Sequence, residues 1–192
     1  MAMQPNPRKT KSVLELGPVD ITALKQAMLA IPEKVWEHEN EEKPNKFEAL
    51  DLTAHIVFRF VRSLDDWRTF DDAPLWREWE PLLAPVMEKA VAPYGYKNGA
   101  YPRIMFARMP PGGIIKPHVD GSLSARWPHK IHVPLQTNPK ASFFVAPKTY
   151  HLDEGQAYEV NNMGPHAVRN DGDEPRTHLI FEYFDRDQPI VS

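Results

Sequence analysis

The chain has 192 residues, 42% of them hydrophobic, enough to bury a core in one compact domain. Its formal net charge of −3 and pI near 6.2 argue against a surface built around a polyanion, so no nucleic-acid partner is expected. Cysteine is absent, which excludes disulfides, thiolate metal sites and cysteine nucleophiles and leaves nitrogen and oxygen donors for any metal.

In chain order, residues 1–12 carry basic side chains with no apolar segment behind them, and read as a flexible arm rather than a signal peptide. No stretch reaches the length of a membrane span, so the expectation is a soluble cytoplasmic protein with no membrane partner. Asp20 is placed to cap a short helix whose Leu24, Met28 and Ile31 recur on one side. The polar run from Glu37 to Lys46 reads as an exposed connection. AHIVFRFV, residues 54–61, alternates and is β-branched, which predicts a strand. A second helix is predicted over Trp76 to Ala92, with Trp76, Trp79, Leu83, Val86, Met87 and Ala90 as its apolar stripe. Pro81 and Pro85 should bend or divide it.

From Tyr101 onward the pattern changes to short strands. RIMFARM (103–109), IIKPHVD (114–120), KIHVPL (130–135), ASFFVA (141–146), QAYEV (156–160) and THLIFEYF (177–184) are the candidates. Turn signals such as Pro110-Pro111-Gly112-Gly113 and Asn161-Asn162-Met163-Gly164-Pro165 separate them. Many short strands without helical crossovers predict a mainly β fold, a double-sheet jelly roll with flanking N-terminal helices, in a single domain spanning residues 1–192.

Within this frame, Pro117-His118-Val119-Asp120 is the first segment with chemical content. In extended backbone, His118 and Asp120 project to one side, so an imidazole nitrogen and a carboxylate oxygen can reach one ion. His166, in MGPHAVRN, supplies a third donor from a distant part of the chain. Two histidines and one carboxylate occupy one face of an octahedral iron site and leave positions for a bidentate 2-oxoacid and dioxygen. Arg176 follows His166 by ten positions, and its guanidinium fork suits a carboxylate inside the barrel. Each motif alone is weak; a turn-proximal hydrogen-bonded pair is the ordinary reading of an isolated HxD.

Taken together, PPGGIIKPHVD, KIHVPL and MGPHAVRNDGDEPRTHLIFEYFD resemble the aspartyl/asparaginyl β-hydroxylase family, a branch of the cupin-like iron and 2-oxoglutarate oxygenases. The resemblance spans roughly Phe106 to Asp185. It implies a cupin-like double-stranded β-helix, with His118 and His166 as the proximal and distal iron histidines. It also implies that Arg176 pairs with the distal carboxylate of 2-oxoglutarate, with His132 and Lys130 on the basic strand that helps hold this cosubstrate. Some family members lack an acid at the position of Asp120; its presence here points to the full triad and to hydroxylation rather than halogenation.

The expected cofactors are therefore Fe(II), 2-oxoglutarate and dioxygen, and the expected partner is a small amino-acid-like molecule or a peptide. Arg59, Arg103 and Arg108 are candidate charges for a substrate carboxylate, and Trp127 for the mouth of the site. His178 shares strand parity with Arg176, and His129 is the substitute should His132 not serve. Two alternatives stay open: a noncatalytic cupin-like binding protein, and an oxygenase acting by desaturation.

Overall fold

A computed structural model describes residues 9–188. Strand β1 (Val13–Pro18) is followed by helices α1 (Thr22–Leu29) and α2 (Glu33–Glu42). The antiparallel pair β2 (Ala54–Ser63) and β3 (Asp66–Asp72) leads into α3 (Trp76–Val91). Next come β4 (Gly99–Ala100), β5 (Ile104–Met109), β6 (Ile114–His118) and the single turn α4 (Leu123–Arg126). The remainder is strand: β7 (His129–Gln136), β8 (Ala141–Val145), β9 (Lys148–Tyr150), β10 (Gln156–Val160), β11 (His166–Asn170) and β12 (Arg176–Asp185).

These strands form two antiparallel sheets. The larger runs β1-β10-β7-β12-β5-β2-β3, with β4 paired to β12; the smaller runs β6-β11-β8-β9. The architecture is a double-stranded β-helix of the cupin-like jelly-roll type, with helices flanking it. Strand periodicity divides the core in two. Ile131, Val133 and Leu135 of β7 turn outward and join Phe58, Phe106 and Phe181 in a cluster with Leu24, Trp36, Leu83 and Met87 from the three long helices. Phe106 meets Phe58 and Trp79 edge-on at 4.9 and 5.3 Å, a geometry that adds about 0.5–1.5 kcal/mol per pair beyond burial. A second cluster lies between the sheets and includes Met109, Ile115, Phe143, Val145, Tyr158 and Val168. His132 and Tyr158 are register partners on this inner side, so the interior of the roll carries polar chemistry beside apolar packing.

Three local expectations change. The run expected as an exposed connection is largely helical, because α2 extends to Glu42. Its glutamates favour helix intrinsically, and one buried residue, Trp36, anchors it by packing against Phe106. Helix α3 is not divided by its prolines. Both are exposed, so the carbonyls they leave without amide partners lie on the solvent side, where water reaches them. Strands β1, β3, β4, β9 and β11 are additional to the seven strand segments expected from the sequence.

Of the expected arm, residues 1–8 lie outside the described residues. Lys9, in contrast to the exposed position a flexible arm implies, is buried, and Ser12 Oγ donates to the Ala146 carbonyl at 2.9 Å. Among the described residues, no helix is long and apolar enough to cross a membrane.

Candidate metal centre

Strands β6 and β11 pair so that His118 and His166 are direct register partners at one end of the smaller sheet. Their rings are 4.2 Å apart between centroids. Each ring has its Nδ1 against a backbone carbonyl, His118 on Lys116 at 2.9 Å and His166 on Gly164 at 3.1 Å. A carbonyl only accepts, so both Nδ1 atoms carry a proton, and in the neutral ring that leaves Nε2 to present a lone pair.

Those lone pairs meet Asp120. Strand β6 stops at His118, and the Asp120 amide is instead held by donating to the Asn162 carbonyl at 3.1 Å. Asp120 Oδ1 then lies 3.8 Å from Nε2 of both histidines. The three side chains are, among the described residues, the one cluster of three or more His, Asp or Glu groups able to share an ion, with ligand atoms within 4.8 Å of one another. The three groups are near enough to share one ion, which on binding would draw their ligand atoms closer together.

The other carboxylate oxygen is already committed. Asp120 Oδ2 accepts from Lys130 Nζ at 2.6 Å and from Asn162 Nδ2 at 2.9 Å. Burial raises the Asp120 carboxyl, but the Lys130 ammonium, His166 and these hydrogen bonds outweigh it and hold the group well below the usual carboxylate range. Burial lowers His166 to about 4, against the pull of Asp120, so its imidazole is neutral at neutral pH. The result is an ionised oxygen and two imidazole nitrogens on one triangle, a donor set that fits a divalent ion favouring nitrogen and oxygen.

Deeper between the sheets lies a cationic recess. Arg176 and His178 line it with Ser142, Phe143 and Thr137. Burial lowers the Arg176 guanidinium to about 9, and among the described residues no carboxylate is within ion-pairing distance of it. Arg176 Nη2 donates to His178 Nδ1 at 3.0 Å, which puts the His178 proton on Nε2, a buried atom with no partner. His132 Nδ1 lies 3.4 Å from the same His178 nitrogen. Phe143 joins recess and triangle: its ring stacks with His166 at 6.5 Å, meets His132 edge-on at 5.2 Å and lies under the Arg176 guanidinium at 5.6 Å.

The six residues singled out by sequence thus converge, with one change of emphasis. Lys130, expected beside the cosubstrate, has its ammonium on Asp120. His129 is on the outer side of β7, bonded to Glu159 at 2.7 Å and within 2.7 Å of the Tyr96 hydroxyl, away from the triangle. The candidate substrate arginines all have carboxylate partners: Arg59 with Asp72, Arg103 with Glu182 and Arg108 with Glu33. Trp127 packs on Trp67 at 6.0 Å. Two residues of the site are not among those candidates: Asn162, expected only in the turn before His166, and Phe143, expected only as part of a strand. Neither carries a local signal that separates these roles.

The family model for aspartyl/asparaginyl β-hydroxylases matches residues 33–186. A search of curated protein sequences gives no match. Among solved structures, a collagen prolyl hydroxylase of Paramecium bursaria Chlorella virus-1, crystallised with 2-oxoglutarate, superposes with a TM-score of 0.59 at 8% identity, covering 94% of this chain and 99% of that one. A prolyl-4-hydroxylase from Pseudomonas putida gives 0.51 at 14% identity, covering 92% and 94%. A 2-oxoglutarate and Fe(II) oxygenase-family oxidoreductase from Burkholderia pseudomallei gives 0.54 at 17% identity; the match covers 68% of this chain and 65% of that one. At these identities the likeness is one of fold.

Proposed function

Because the chain belongs to the aspartyl/asparaginyl β-hydroxylase family and is a 2-oxoglutarate-dependent dioxygenase, we propose that it hydroxylates a free amino acid, a small amino-acid derivative or a peptidyl Asp or Asn residue, using Fe(II) held by His118, Asp120 and His166. The observation that carries this reading is the division of labour within Asp120. One oxygen is saturated by Lys130 and Asn162, while the other faces two imidazole lone pairs.

The unpaired Arg176 guanidinium and the orphaned His178 Nε2–H support an anionic cosubstrate in the adjoining recess. A buried cation and a buried donor without acceptors are both costly, and one carboxylate relieves both. In this reading Arg176 and His178 bind the far carboxylate of 2-oxoglutarate, His132 lines its path, and Phe143 keeps water from the space between. Iron, 2-oxoglutarate and dioxygen together supply the oxidation of a substrate C–H bond. The protein binds, orients and excludes water; no side chain need act as nucleophile.

The test is reconstitution with Fe(II), ascorbate and 2-oxoglutarate, then exposure to oxygen with a panel of amino acids and short Asp- or Asn-containing peptides. Substrate-dependent succinate release matched by a product carrying one added oxygen atom is expected. A product that instead loses two hydrogens identifies desaturation, and absence of succinate with every compound counts against the hydroxylase reading.

A further inference from the structure

We propose that Lys9 is a positioning residue for the metal centre, acting through the Asn162 amide on Asp120. The inference rests on reading His118, Asp120 and His166 as the metal ligands. Lys9 lies outside residues 33–186, the span shared with the family.

Lys9 is only 6% exposed although a lysine is costly to bury. Its ammonium donates to Asn162 Oδ1. The segment is brought there by its backbone: Asn161 Nδ2 donates to the Lys9 carbonyl at 3.0 Å, and the Asn161 amide donates to the Ser12 carbonyl at 2.9 Å. Burial lowers the ammonium to about 8, while Glu182, Glu159 and Asp120 oppose that loss of charge.

An ammonium has only donors, so it settles which end of the Asn162 amide faces it. With Oδ1 turned to Lys9, both N–H groups of Nδ2 point the other way, to Asp120 Oδ2 at 2.9 Å and to the Ala125 carbonyl at 3.0 Å. Every polar atom of this fully buried amide then has a partner. A flipped amide would set its oxygen against Asp120 Oδ2 and its N–H groups against the ammonium, which is repulsive on both sides. Lys9 therefore keeps Asn162 donating to Asp120, and so helps keep Oδ1 free for the ion. Lys130 bonds the same carboxylate oxygen directly, which makes Lys9 an aid to orientation rather than its sole cause.

The test is titration of the full-length protein with Mn(II), without oxygen or 2-oxoglutarate, followed by EPR. Lys9→Met and Asn162→Ala should each weaken Mn(II) binding by roughly tenfold, in the range of a lost outer-shell partner. Lys9→Arg should restore most of the affinity. The double variant Lys9→Met/Asn162→Ala should be no weaker than Asn162→Ala alone, because both changes remove one chain of bonds. Unchanged affinity in Lys9→Met, or additive losses in the double variant, would overturn the proposal. A second readout needs no substitution: with lysine-labelled protein, the Lys9 Nζ resonance should shift on addition of Zn(II), and its indifference would also overturn it. If the unsubstituted protein binds no Mn(II), the metal centre itself fails, and this inference with it.

Discussion

Arg176 donates to His178 Nδ1 at 3.0 Å, and neither residue has a carboxylate within reach among the described residues. A buried cation bonded to a neutral imidazole is a poor arrangement for stability and a good one for receiving an anion. Arg176→Met should therefore weaken 2-oxoglutarate binding by about 2–4 kcal/mol. It should leave the cosubstrate-free protein as stable as before, or more so. Calorimetric titration and urea unfolding separate the two effects; a large loss of stability with unchanged binding would make Arg176 a structural residue.

His118→Ala removes one of three proposed ligands. Its affinity for Mn(II) should fall by more than the ~10–100-fold expected of an outer-shell partner. The circular dichroism spectrum should be retained, because His118 is at the end of β6 and only part-buried. Equal affinity would reject His118 as a ligand.

The Arg103–Glu182 pair is nearly fully buried, with side-chain exposures of 8% and 2%. Arg103, a candidate charge for a substrate carboxylate, has a structural place: its guanidinium bonds Glu182 and the Ser124 carbonyl, the latter at 3.2 Å. Glu182→Gln leaves that cation uncompensated and should cost about 3–5 kcal/mol in urea unfolding. The double variant Arg103→Met/Glu182→Leu should recover much of the loss. Its failure to do so would assign the pair a role that apolar packing cannot replace.

His55 makes stability depend on pH. Burial, with the Lys43 and Lys130 charges, lowers it to about 3 from an ordinary value near 6.5. The unfolded chain takes up a proton below about pH 6.5 that the folded chain refuses until about pH 3. This contribution is therefore whole above pH 6.5 and is lost as the pH falls, at about 1.4 kcal/mol per pH unit. His55→Gln should reduce the slope of unfolding free energy between pH 6 and pH 4 by roughly one proton's worth. An unchanged slope would show that His55 is protonated in the fold.

The parts of the fold legible in sequence are those with a local cause. Strands β2, β5, β7, β10 and β12 are written in short apolar or alternating runs between turn signals, and the helix α3 in the spacing of Trp76, Trp79 and Leu83. Helix α2 was hidden because one tryptophan anchors an otherwise polar segment. Strand β3 was hidden because its charged residues suit an edge that must not pair further. At the site, His118, Asp120, His166 and Arg176 carry a recognisable order. The roles of Asn162 and Lys9 come from a contact across 153 positions, which no local pattern announces. Phe143 is an ordinary core phenylalanine until its neighbours are known to be His166 and Arg176.

The central claim is that a metal on His118, Asp120 and His166 and an anion on Arg176 form one site. The most direct test is anaerobic calorimetric titration of 2-oxoglutarate into the protein with and without Fe(II), alongside Asp120→Ala and Arg176→Met. Tight binding that requires Fe(II) and is weakened by both substitutions is the predicted result. Failure of the fully metallated protein to bind 2-oxoglutarate, or binding indifferent to the metal, would contradict it.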